Sequence, residues 1–144
     1  MVAVLKQQYG SGILEALSYL GQVEGVDAQR TGAVGYCLGG SLAIGLACAD
    51  RRVKAVAPYY GQNPRPLEAL AKVCPVVGSY PEADFTAAAG RKLEAELERY
   101  AIPHDVKIYP GARHSFFNDT RSSYDPAAAR DSWERVLAFF KEHL

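Results

Sequence analysis

Three side chains in this 144-residue sequence could together carry out nucleophilic acyl transfer: the thiol of Cys37, the imidazole of His114 and the carboxylate of Asp84. A thiol attacks an acyl carbon as its thiolate, so it needs a base within reach. That base needs a third group to fix its tautomer and orientation. Cys37 is the centre of Gly35-Tyr36-Cys37-Leu38-Gly39, the G-x-nucleophile-x-G pattern of a sharp strand-to-helix turn. Such a turn strains the central residue and requires small neighbours, here Gly35, Gly39, Gly40 and Ser41. It also aims the thiol across a helix N-terminus, where free N–H groups and the helix dipole favour a thiolate. The N–H of Leu38 then points to where an oxyanion would form. Taken alone, the pentapeptide fits a buried structural cysteine equally well. It fits neither G-x-G-x-x-G nor a phosphate loop with its lysine.

The base is chosen among three histidines. His143 lies at the C-terminus and His104 opens a strand after Pro103, whereas His114 sits in a loop directly after the last apolar run. For the acid, "VVGSYPEAD" ends its apolar run at Tyr80, and Asp84 follows four residues later, just before a helix. Glu82 is the runner-up, and helix N-capping is the simpler role for Asp84. The order nucleophile, acid, histidine is that of the nucleophile-elbow fold.

Positioning these groups requires alternating strands and helices, and the sequence supplies that alternation. Residues 11–20 read as an amphipathic helix with Ile13, Leu14, Leu17 and Leu20 on one face. Residues 30–37, 52–60, 73–80 and 104–110 read as strands. Helices are expected over 38–50, near 67–72, over 86–100 and from Pro126 onward, the last burying Trp133, Val136, Leu137, Phe139 and Phe140. Val106 and Ile108 share one face of the fourth strand. The predicted fold class is α/β, a single domain over residues 1–144 with a parallel sheet of about four strands flanked by helices. Its ligands would bind at the C-terminal ends of the strands.

Composition narrows the partners. Sixteen basic and sixteen acidic residues cancel without forming a block, which argues against nucleic acid or anionic lipid. No apolar run approaches the roughly 20 residues of a membrane span, and the first residues lack a signal-peptide pattern. Three cysteines without framework spacing suggest free thiols and a cytoplasmic setting. Cys48 reads as core, and Cys74 precedes Pro75 at a strand start; neither is placed by sequence as a resolving thiol for a redox sensor. No metal-ligand spacing is visible, and no cofactor is implied.

"GAVGYCLGG" (32–40), "PYYG" (58–61), "VVGSYPEAD" (76–84) and "GARHSFFND" (111–119), in that order, resemble the dienelactone hydrolases, α/β-hydrolases with a cysteine nucleophile. The resemblance runs from about residue 11 to the end. It implies Cys37 as nucleophile, His114 as base, Asp84 as orienting acid and enol lactones or related small esters as substrates, opened through a thioester. It places Tyr60 near the pocket. Asn118 stands where well-studied members bear an arginine that helps hold a substrate carboxylate. Family members also carry further strands before this point, so the fold is expected to be a truncated α/β-hydrolase. The alternative function is a non-catalytic binding or assembly remnant of that fold. Without those strands, residues 30–36 would form a sheet edge with no proline and no charge beyond Arg30. The expected consequence is a homo-oligomer joined through that edge and nearby helices, with two-fold symmetry. The competing expectation is that residues 1–10 fold back over the edge.

Overall fold

The computed structural model describes residues 12–144; any fold-back of residues 1–10 lies outside the described residues. The chain runs α1 (Gly12–Leu20), β1 (Thr31–Tyr36), α2 (Leu38–Ala49), β2 (Val53–Tyr59), a 3₁₀ helix (Leu67–Lys72), β3 (Val76–Pro81), α3 (Thr86–Arg99), β4 (His104–Tyr109) and α4 (Pro126–His143). The four strands form one parallel sheet in the order β1-β2-β3-β4. Register places Tyr36 beside Tyr59, Tyr59 beside Ser79, and Pro81 beside Tyr109. All four strands therefore finish at the same edge of the sheet, and each turns there into a loop or helix that carries a candidate side chain.

Near-continuous apolar strands imply cover on both faces, and the sheet has it. On one face Ile44, Val53, Val56, Leu70, Val76, Tyr80, Leu93 and Leu97 are buried beneath α2, α3 and the 3₁₀ helix. Ile13, Leu14 and Leu17 of α1 pack against the same cluster, whereas Leu20, the last residue of its helix, is largely exposed. On the other face Ala57, Tyr59, Val77, Tyr109, Phe116, Ala128 and Val136 are buried beneath α4 and the loop before it. Asp125 caps α4 by accepting the N–H groups of Ala127 and Ala128, and Pro126 opens the first turn.

Helix α4 departs from its expected burial. Val136 is buried with Ala128, Ala129 and Ser132, but Trp133 is 41% and Leu137 53% exposed. The sheet covers only one stripe of a helix. The small residues Ala129 and Ser132 bring α4 close to the strands, and this leaves Trp133 and Leu137 on its flank. Arg135 ties α4 to the sheet. It donates to Ser79 Oγ and Tyr109 Oη at 3.2 and 3.0 Å, and to the Asp105 carboxylate at 2.9 Å.

Candidate active site

At the end of β1 the backbone turns so sharply that Cys37 adopts φ 57° and ψ −120°. An L residue is strained there, at a cost of about 1–3 kcal/mol. Tight packing holds the turn. A Cβ on Gly35 would lie 2.0 Å from the Gly39 carbonyl oxygen, and one on Gly40 would lie 2.6 Å from that of Tyr59. Gly39, expected from the motif to be equally constrained, has open space at its Cβ position; its contribution is the carbonyl that crowds Gly35. The Cys37 N–H donates to the Tyr59 carbonyl at 3.0 Å and so pins the turn to β2. Leu38 heads α2, and an N–H in that first position has no acceptor within its own helix.

The structure brings the three candidate groups together. His114 Nε2 lies 3.1 Å from Cys37 Sγ, and His114 Nδ1 lies 2.8 Å from Asp84 Oδ2. Glu82 is elsewhere, accepting the Gly111 N–H at 3.0 Å. His104 Nδ1 faces the Ile102 carbonyl oxygen, and His143 lies beside Phe139. The Asp84 side chain is only 7% exposed. Burial acts to raise its carboxyl, but hydrogen bonds from Thr86 and His114, with the His114 charge, outweigh that effect and hold it below the usual carboxylate range. Thr86 bonds Asp84 through both its hydroxyl and its N–H, so the aspartate serves the start of α3 as well as the imidazole.

Tyr60 continues β2 with φ 38°. Its ring meets the imidazole at 5.0 Å, and burial pushes its phenol well above the ordinary value. The four non-glycine residues with positive φ among the described residues are Cys37, Tyr60, Ser115 and Ala101. The first two carry or touch the site and the third follows His114, a concentration typical of functional loops. Asn118 holds its Oδ1 within its own loop, accepting the Thr120 N–H and hydroxyl at 3.0 and 2.7 Å. Ser41, unremarkable in sequence beyond its small size, accepts the Gln62 N–H at 2.7 Å and so anchors the loop after β2 to the elbow helix.

The other two thiols are of a different kind. Burial drives Cys48 and Cys74 each up to about 12, so they remain protonated near neutrality, whereas Cys37 is exposed. Among the described residues no group of three or more His, Cys, Asp or Glu side chains is set to hold a metal ion, and no helix is long and apolar enough to cross a membrane. Chemically, the arrangement pairs an exposed sulfur with a proton acceptor whose far side is bonded to a carboxylate.

Comparison with known proteins bears on the family and the fold. The model of the dienelactone hydrolase family matches residues 2–144. A Saccharolobus solfataricus protein named "Putative carboxymethylenebutenolidase" is 37% identical over 131 residues, covering 90% of this chain and 51% of that protein. A protein of the same name from Synechocystis is 29% identical over 144 residues, covering 91% and 58%. The crystal structure of a Klebsiella pneumoniae protein named "Putative Dienelactone Hydrolase" superposes with a TM-score of 0.82 at 26% identity, covering 92% of this chain and 60% of that one. The chain thus spans about half the length of the curated relatives it matches. The four-stranded parallel sheet with helices on both faces is that of the α/β-hydrolases, and the chain belongs to the dienelactone hydrolase family.

Proposed function

We propose that this protein hydrolyses enol lactones or small esters through Cys37, His114 and Asp84, by way of a thioester. The observation that carries the reading is the continuous Sγ–Nε2 and Nδ1–Oδ2 contact through one imidazole, at 3.1 and 2.8 Å. His114 Nε2 takes the proton from Cys37 Sγ, and the sulfur lone pair forms a bond to the acyl carbon. The carbonyl oxygen becomes an oxyanion facing the Leu38 N–H. As the oxyanion collapses, the acyl C–O bond breaks, and the imidazolium returns the proton to the leaving oxygen. In a lactone that oxygen stays tethered to the acyl group. Water then gives a proton to Nε2 and attacks the thioester carbon, and the sulfur departs with the electron pair and regains the proton. Ionised Asp84 stabilises the imidazolium and keeps Nε2 turned toward sulfur. Tyr60 walls the imidazole and, by its position at the end of β2, is a candidate substrate contact, as is Asn118.

Kinetics test this directly. Cys37→Ala and His114→Ala are each expected to reduce hydrolysis of an aryl ester by roughly 10³–10⁴-fold, with circular dichroism unchanged. Hydrolysis that survives both substitutions would remove the proposal. A second reading, a non-catalytic binding or assembly module, is supported by one fact: the chain covers about half of its relatives' length. It predicts that both substitutions leave every measured rate at the level of free solution.

A further inference from the structure

Phe85 is a large apolar side chain that belongs to neither hydrophobic core and is 72% exposed, beside a carboxylate that is almost wholly buried. Its ring nevertheless has a defined partner. It stacks on the His114 imidazole, with centroids 5.8 Å apart and planes 13° from parallel. The imidazole is bonded in its plane at both nitrogens, by Asp84 and Cys37. Those two bonds leave the ring free to tilt about the line joining them. A near-parallel ring in offset contact with its face opposes that tilt, and its π density attracts an imidazolium more strongly than a neutral imidazole.

We propose that Phe85 is a positioning residue for His114, holding the imidazole in line with the thiol and favouring the imidazolium formed when Nε2 takes the Cys37 proton. In that step the S–H bond breaks, an N–H bond forms at Nε2, and the electron pair stays on sulfur. The inference rests on the thiol–imidazole reading above and deepens it. The groups facing the imidazole are Asp84 from the loop after β3, Cys37 from the elbow and Tyr60 from the end of β2. Burial raises the Tyr60 phenol well above its ordinary value. On the imidazole's own loop, Arg113 is directed at the Ser122 carbonyl, 2.8 Å away.

The test is the rate of iodoacetamide alkylation of Cys37, followed by mass spectrometry across pH, in the full chain and in Phe85→Ala, Phe85→Leu, Phe85→Trp and His114→Ala. Phe85→Ala and Phe85→Leu should slow alkylation at neutral pH roughly two- to five-fold, the size of an exposed cation–π contact. Both should rejoin the parent at high pH, where a thiol ionises unaided. Phe85→Trp should keep or raise the neutral-pH rate. Since Phe85 lies outside both cores, the thermal midpoints of these variants should match the parent's. A Phe85→Leu protein that alkylates as fast as the parent at neutral pH overturns the proposal, because an apolar cover would then suffice. Slowing that persists undiminished at high pH also overturns it, because access to the sulfur would be the cause. The control separates the two levels: if His114→Ala leaves the neutral-pH rate unchanged, the thiol–imidazole reading itself fails. If His114→Ala slows the reaction and the Phe85 variants do not, only the inference about Phe85 fails.

Discussion

The Asp84 carboxylate holds both the start of α3, through Thr86, and the His114 imidazole. Its folded state favours the ionised form, because the Thr86 and His114 hydrogen bonds outweigh the effect of burial. A carboxyl held below its ordinary value adds stability that is fully present above about pH 4 and is lost as pH falls through the depressed folded value. The gap in thermal midpoint between the parent and Asp84→Asn should therefore be wide near neutrality and shrink on acidification below about pH 4. A gap that stays constant or widens in acid would show that the carboxylate's charge is not what stabilises the site. At this scale the sequence was informative for a specific reason. A thiol between glycines, a histidine after the last strand and a carboxylate before a helix are each constrained by chain order, and order fixes which strand end each one occupies. Phe85 was not legible, because stacking depends on the path of the loop after Asp84 rather than on any spacing.

The elbow between β1 and α2 presents the exposed Cys37 thiol. The motif suggested that Gly35 and Gly39 are equivalent, but only Gly35 is crowded, since its missing Cβ would lie 2.0 Å from the Gly39 carbonyl oxygen. Gly35→Ala should cost at least about 3 kcal/mol, because backbone on both sides must shift. Gly39→Ala, in open space, should change stability by no more than about 0.5 kcal/mol. Urea unfolding of the two variants measures the contrast, and equal losses would mean that the turn is not held by this contact. Strand and helix positions were readable from periodicity to within a few residues; the third strand, expected from residue 73, begins at Val76 after Pro75. The exposure of Trp133 and Leu137 was not readable. A helix's apolar residues reveal which face is buried only after the small residues that bring it close to the sheet are known.

At the scale of the whole molecule, β1 is the consequential strand. Among the described residues its hydrogen-bonded neighbour is β2 alone, and it closes one end of the sheet. Val34 and Tyr36 are exposed on it, and neither proline nor charge interrupts Thr31–Tyr36. We propose that a second copy of this chain pairs along this edge, since two such strands can complete each other's backbone pairing. Light scattering at micromolar concentration should give a mass near twice that of one chain, and Val34→Lys should return it to one. A parent protein that stays monomeric over that range would contradict the proposal. This edge was legible only through the resemblance to the dienelactone hydrolases, in which further strands lie beside the nucleophile strand; the strand pattern of this chain alone does not reveal it.

The central step of the proposed reaction is formation of a covalent acyl bond to Cys37. Mixing the full chain with p-nitrophenyl acetate, quenching in acid and weighing the intact protein tests this directly. The predicted result is a single acetyl group on Cys37, released by hydroxylamine and absent from Cys37→Ala. Acetylation that persists in Cys37→Ala, or is scattered over lysines while Cys37 stays free, would contradict it.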